Sequence, residues 1–115
     1  MNKDIGYLEF MRDKAKEAEG FVTGLSEQQF LSDNKTQSAV ILKLAIIGEI
    51  AKKISPEAKQ IIDLPWKEIA GFRDMAIHEY LQLSLTIIWA TTQRSLSDLI
   101  TKIDAYLSQS LNKAA

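Results

Sequence analysis

The densest group of chemically capable side chains is the segment Arg73-Asp74-Met75-Ala76-Ile77-His78-Glu79-Tyr80. His78 is the only histidine, and an imidazole can donate or accept a proton near neutral pH. An arginine such as Arg73 can hold a phosphate through two parallel hydrogen bonds and stabilise the charge that grows on it. These residue types suit cleavage of a phosphodiester in RNA, where the 2′-hydroxyl serves as nucleophile and neither a protein nucleophile nor a metal is needed.

Helical spacing relates these side chains to one another. Asp74 and His78 lie four residues apart, so on a helix they share a face. Arg73 lies five residues before His78 and points about 140° away from it on a regular helix. Its long side chain can still converge with the imidazole on one phosphate if the helix loosens at His78. One histidine is few for such a reaction, and two copies from a symmetric dimer would supply both an acid and a base.

A simpler interpretation of the same residues stays open at this point. A lone histidine with an aspartate four residues earlier is more often an ordinary pair on a helix surface than an active site. Tyr80 is typical of a half-buried tyrosine at a helix end. Glu49, among apolar neighbours, is expected to pair with Lys52 or Lys53. Spacing alone therefore favours a structural role for the segment.

Composition bounds the class of protein. The chain has 115 residues, 46% hydrophobic and 25% charged, which predicts one globular domain over residues 1–115. The absence of cysteine excludes disulfides, thiolate metal sites and a cysteine nucleophile. One histidine with scattered carboxylates makes no metal ligand set, so we expect neither a metal nor another cofactor. A net charge of −1 differs from that of an avid, non-specific nucleic-acid binder, so any RNA contact needs a locally assembled site.

The chain also lacks the patterns of an exported or membrane protein. Its N-terminus has no apolar signal core. The longest apolar stretch, residues 39–54, is interrupted by charged side chains and predicts a buried helix rather than a membrane span. We therefore expect a cytoplasmic protein with no membrane partner.

Breaker residues divide the chain into segments with helical spacing. Long helices are predicted over residues 4–23 and 35–54, from Pro65 to between His78 and Leu81, and after a cap at Ser84. Short helical turns are predicted through Phe30 and over residues 56–63. No window alternates as a half-buried strand would, so we predict an all-α, up-and-down bundle of four main helices. The second of these is so apolar that it should be central, or buried on a second side by another subunit.

Residues 73–80 and their flanks resemble the HEPN domain family, specifically its HepT-like toxin branch. The signature of that family is an arginine followed after four residues by a histidine and, after one more residue, by a tyrosine. This sequence matches it. Residues 39–53, with the core Ile-Ile-Gly-Glu-Ile-Ala-Lys-Lys, resemble the second helix of the branch, and residues 64–73 resemble its lead-in to the active site. The spacing of three later residues also fits: Tyr80, Ser84 and Trp89. The resemblance covers essentially the whole chain.

The resemblance implies a function and a set of roles. Proteins of this kind are HEPN-like helical bundles that dimerise and place two Arg/His motifs in a shared cleft, where they act as metal-independent endoribonucleases. Arg73 would then bind the scissile phosphate of the RNA substrate, and His78 would be the acid and base. The resemblance also implies a toxin–antitoxin system. Its antitoxin is a minimal nucleotidyltransferase that transfers AMP onto the motif tyrosine, here Tyr80, and so blocks the ribonuclease.

One position departs from the commonest pattern of the family. The residue after the arginine is usually asparagine, and here it is Asp74. Asparagine can donate a hydrogen bond to a phosphate, whereas an ionised aspartate only accepts and repels it. Asp74 could instead belong to the catalytic group by orienting and charging His78. The alternative to catalysis is a non-catalytic helical binding module that partners a nucleotidyltransferase, or a purely structural bundle.

Overall fold

The computed structural model describes residues 3–114, with side chains through residue 110. These residues form helices and no strand, which confirms the predicted all-α class. In chain order the elements are α1 Asp4–Val22, α2 Glu27–Leu31, α3 Asn34–Ala51, α4 Pro56–Ile61, α5 Trp66–His78, a 3₁₀ turn Tyr80–Gln82, α6 Leu85–Ala90, a π-helical turn Thr91–Ser95 and α7 Leu96–Ala114. Because α6, the π turn and α7 follow one another without a break, the four predicted main helices are confirmed.

Local side-chain caps explain where several helices begin. Ser26 and Gln29 form a reciprocal capping box at α2, with the Gln29 amide donating to Ser26 Oγ over 3.1 Å. The Asp33 carboxylate accepts from the Thr36 amide at 3.1 Å and caps α3. Ser55 and Ser84 cap α4 and α6 in the same way. These caps satisfy amides that have no partner within the helix.

Helix α3 is the centre of the bundle, as its apolar composition predicts. It runs antiparallel to α1, because Asp4 at the start of α1 bonds Ser55 beyond the end of α3, while Glu17 pairs with Lys43 at 2.8 Å. Helix α5 packs against α3 as well. The largest fully buried side chains come from five helices and form one core: Phe30, Leu8, Met11, Ile88, Ile103 and Val40.

Asp4 links the start of α1 to the segment that follows α3. Its residue is only 4% exposed, and its carboxylate accepts from the Ser55 amide at 2.9 Å and from the Ser55 hydroxyl. Ser55 thus links α1 to the cap of α4. This contact explains why α3 ends at Ala51 rather than at Ile54 as predicted, since the chain must turn to bring Ser55 to Asp4.

Helix α5 is less buried than the other long helices. None of its residues is buried, and it packs on α3 along one side. Between α5 and the α6–α7 segment lies an apolar groove of about 320 Å³, whose floor is formed by Leu44 and Ile47 of α3.

No helix of the described residues is long and apolar enough to cross a membrane.

Candidate active site

A glycine brings the helix that carries Arg73 against the central helix. A Cβ atom built on Gly48 of α3 would lie 2.6 Å from the carbonyl oxygen of Ile69 and 3.2 Å from the Cβ of Arg73. Such a position admits no side chain, so the backbone of α5 rests directly on α3. Gly48 was not singled out from the sequence. Its signal was a glycine inside a long apolar helix, where glycine costs about 1 kcal/mol relative to alanine unless it has a packing role.

Four charged side chains meet where the two helices touch, and we call Glu49, Lys52, Arg73 and Asp74 the charge cluster. The Nη1 atom of Arg73 donates to Asp74 Oδ1 at 3.2 Å, and Lys52 Nζ donates to the same oxygen at 3.1 Å. Glu49 lies slightly further away, 3.7 Å from Arg73 Nε and 3.9 Å from Lys52 Nζ. Two cations and two carboxylates therefore balance one another.

Asp74 is ionised at neutral pH in this arrangement. The hydrogen bond from Lys52 lowers the pKa of the Asp74 carboxyl below its usual range, and the hydrogen bond from Arg73 lowers it further. The carboxylate therefore accepts from both cations as a full negative charge. Because its side chain is 55% exposed, water screens these interactions and the side chain can rotate.

His78 is the last residue of α5 and lies outside the charge cluster. Glu79 leaves the helical conformation with φ −134° and ψ 40°, and the chain continues into the 3₁₀ turn. The predicted end of the helix near His78 is confirmed. The imidazole is exposed and makes no side-chain hydrogen bond or ion pair with any described residue. It is therefore free to meet a substrate or a second subunit.

The hypothesis that Asp74 orients His78 is not met in the structure. Although the two residues are four apart on α5, the Asp74 carboxylate contacts Lys52 and Arg73 and no bond joins it to the imidazole. Two cationic donors hold the ionised carboxylate at the contact with α3. Asp74 thus belongs to the site through Arg73 rather than through His78.

The other predicted site residues lie as follows. Tyr80 is half-exposed in the 3₁₀ turn that follows His78, beside Leu81, which is 98% exposed. Glu49 pairs with Lys52, as predicted, and also with Arg73, which sequence spacing did not indicate. Among the residues described, no hydrogen bond or ion pair joins Arg73 to His78, and no group of three or more His, Asp or Glu is suited to a metal ion.

Comparison with known proteins places this arrangement in a family. Residues 11–106 match the family described as Ribonuclease HepT-like. The chain belongs to the HepT-like family. The matched range includes the whole charge cluster, His78 and Tyr80, so all the candidate site residues of this HepT-like chain lie within the family's own region.

Curated relatives agree with the family match. The protein named probable ribonuclease HepT of Thermococcus cleftensis is 35% identical over 99 residues, which cover 85% of this chain and 90% of that protein. A protein of Caldanaerobacter subterraneus, named as a candidate RNase, is 34% identical over 104 residues, or 90% of this chain and 93% of its own. No solved structure matches this HepT-like chain.

Proposed function

We propose that this protein is the toxin of a toxin–antitoxin system and acts in the cytoplasm as a metal-independent endoribonuclease. The observation that carries the proposal is an exposed His78, with no side-chain partner among the described residues, on the same helix as Arg73 in a chain of the ribonuclease HepT-like family. An unpaired imidazole is available for proton transfer, and a partly exposed guanidinium is available to a phosphate. Relatives named as ribonucleases support the same reaction class.

The reaction assigns one task to each side chain. Arg73 binds a non-bridging oxygen of the scissile phosphate and stabilises the charge that develops there. His78 accepts the proton of the 2′-hydroxyl, whose oxygen then forms a bond to phosphorus. The bond from phosphorus to the 5′-oxygen breaks, and that oxygen takes a proton from an imidazolium. The products are a 2′,3′-cyclic phosphate and a 5′-hydroxyl, with no atom drawn from a metal-bound water.

A homodimer supplies the second imidazole that this scheme requires. The end of α5, the 3₁₀ turn and α6 expose several large apolar side chains that a monomer would leave in water: Met75, Ile77, Tyr80, Leu81 and Ile87. An exposed apolar patch of this kind marks a protein–protein contact. The patch flanks the apolar groove, so projecting and recessed apolar surfaces lie side by side, as a self-complementary two-fold interface needs. We infer that pairing across this surface brings two His78 side chains into one cleft.

Substrate chemistry tests the ribonuclease proposal. Purified protein in EDTA should cleave a single-stranded RNA and leave 2′,3′-cyclic phosphate ends, detectable by mass spectrometry. A 2′-deoxy sugar placed 5′ to a mapped cut site should stop cleavage there and nowhere else, because that sugar lacks the nucleophile. Cleavage that survives the 2′-deoxy substitution would contradict the mechanism. A dimeric protein that leaves every RNA pool intact would favour the non-catalytic binding module instead.

The proposed partner is a minimal nucleotidyltransferase antitoxin that transfers AMP to Tyr80. The phenol is reachable, because Tyr80 is half-exposed on the 3₁₀ turn next to His78. An AMP group there would add a negative charge and bulk beside the cleft, where the RNA backbone must approach. Charge repulsion and steric exclusion would then block the ribonuclease.

Incubation with such a partner and ATP tests this control mechanism. We expect one AMP on a peptide that contains Tyr80 and none on peptides that contain Tyr7 or Tyr106, which pack against the core. Tyr80→Phe should remove the modification while leaving RNA cleavage in place. Modification of either packed tyrosine, or none under conditions where the partner binds, would contradict the assignment.

A further inference from the structure

Lys52 and Arg73 converge on a single oxygen atom. Both donate to Asp74 Oδ1, at 3.1 and 3.2 Å. Their nitrogens are therefore separated by no more than the combined length of two hydrogen bonds. A non-bridging phosphate oxygen accepts hydrogen bonds from such cations in the same way as this carboxylate oxygen does. The carboxylate thus stands where an oxygen of an RNA phosphate could be held by both side chains.

Lys52 is free to serve such a site. It lies at the C-terminal end of α3, with a side chain that is 38% exposed. Its ion-pair partners are the carboxylates of Asp74 and Glu49, which are themselves substantially exposed. Ion pairs at this degree of exposure contribute little net stability, so a stronger anion can replace one of them at small cost.

The balance of charge in the cluster has a consequence for binding. Glu49 and Asp74 together cancel the charges of Lys52 and Arg73, so a phosphate meets no net attraction while both carboxylates stay in place. Asp74 alone contacts both cations through one oxygen, and its exposed side chain can swing into water. Its departure leaves a net positive charge and two free donors at the same point.

We propose that Lys52 and Arg73 form a two-cation phosphate-binding site, and that Asp74 is its built-in occupant until the RNA backbone displaces it. This inference rests on the proposed ribonuclease function. It adds Lys52 as a binding residue that neither motif nor spacing indicated. It also gives Asp74 the role of an intramolecular competitor.

Binding of an uncleavable RNA tests the site. A fluorescent, single-stranded 2′-O-methyl RNA lacks the nucleophile, so its dissociation constant can be measured by anisotropy for the full chain and its variants. Lys52→Gln should weaken binding about five- to tenfold and make its dependence on salt shallower by about one unit of slope, since one phosphate contact is lost. Lys53→Gln is the matched control, because Lys53 is the next residue, exposed and without an ion pair to any described residue. It should stay within about twofold of wild type.

Asp74→Asn separates competition from simple positioning. We expect this variant to bind the RNA several-fold more tightly. We also expect Lys52→Gln to weaken RNA binding more in the Asp74→Asn background than in wild type, because Lys52 then faces the RNA without a competing carboxylate. A mere change in net charge would leave the two effects additive. Unchanged thermal unfolding midpoints for both variants would show that the effects are on binding.

The outcomes distinguish the inference from the function on which it rests. If wild type cleaves unmodified RNA but Lys52→Gln binds like Lys53→Gln, the two-cation site is wrong and the ribonuclease stands. If Asp74→Asn binds more weakly than wild type, the competitor role is wrong. If the variants behave as expected while wild type leaves all RNA uncut, the phosphate site stands and the catalytic proposal fails. Absence of RNA binding by wild type overturns both.

Discussion

His78→Ala is expected to slow RNA cleavage by about 10²–10⁴-fold, the usual contribution of a general acid or base. Arg73→Ala should cost about 10²–10³-fold, because a positioned donor to the developing charge is lost. Neither change should unfold the protein. His78 is exposed with no side-chain partner among the described residues, and the ion pairs of Arg73 are partly exposed and worth about 0–1 kcal/mol each. Single-turnover cleavage in EDTA, with thermal unfolding measured alongside, checks both statements.

Two further variants make this result interpretable. Gln82→Ala is the control, because Gln82 is an exposed residue of the 3₁₀ turn that follows His78 and has no side-chain bond to a described residue. It should cleave RNA at close to the wild-type rate. Arg73→Lys keeps the positive charge but loses the bidentate hydrogen-bonding geometry of the guanidinium. It should therefore restore only part of the activity that Arg73→Ala loses. Wild-type rates for His78→Ala would show that the active site lies elsewhere.

Mixing inactive and active chains tests whether two histidines share one cleft. When an excess of His78→Ala protein exchanges into wild-type dimers, most wild-type chains acquire a partner without an imidazole. If each site needs both imidazoles, activity per wild-type chain should fall with the fraction of mixed dimers. Constant activity per wild-type chain would mean that one imidazole is sufficient.

Gly48→Ala should have the second largest effect, on stability and catalysis together. The added methyl group would lie 2.6 Å from the Ile69 carbonyl, a backbone atom that cannot rotate away. Forcing the helices apart typically costs about 1–3 kcal/mol, which exceeds the gain of about 1 kcal/mol from replacing glycine inside a helix. Because Arg73 lies at the same contact, its displacement by even about 1 Å should lower cleavage by one or two orders of magnitude.

A second glycine supplies the comparison for this prediction. Gly20 lies within α1, and a Cβ atom there meets nothing within 4 Å. Gly20→Ala should therefore raise the free energy of unfolding by up to about 1 kcal/mol and leave cleavage unchanged. Urea unfolding and single-turnover cleavage of both variants give the answer. A Gly48→Ala protein as stable and as active as Gly20→Ala would show that α5 does not depend on this close approach.

The sequence predicted the helix starts well because their causes are local. Ser26 with Gln29, Asp33, Ser55 and Ser84 each bond amides within a few residues, so their spacing is readable directly. The π-helical turn was not predicted. There the hydroxyl of Thr91 donates to the Ile87 carbonyl and that of Thr92 donates to the Trp89 carbonyl, contacts that the spacing of apolar residues does not indicate.

Only part of the site could be predicted from the sequence, because some of its contacts are not local. The motif indicated Arg73 and His78 by residue type and spacing, but the partner of Asp74 could not be predicted from the spacing of neighbours on one helix. Lys52 reaches Asp74 across the contact between α3 and α5, and such long-range contacts depend on packing. The exposure of Ile77 could not be predicted from the sequence, for a related reason. Its periodicity indicates an apolar face but not whether this chain or a second one covers it.

The low burial of α5 links the local stability of the site to protein concentration. Because none of its residues is buried, α5 is the long helix that we expect to open first while the rest of the bundle stays folded. A partner chain that covers the surface around His78 would hold this helix closed by mass action. Scarce protein would then be both less often paired and more often locally open. The dimer would be the smallest unit that is both stable and catalytically active. Its concentration would rise more steeply than the total concentration of the protein.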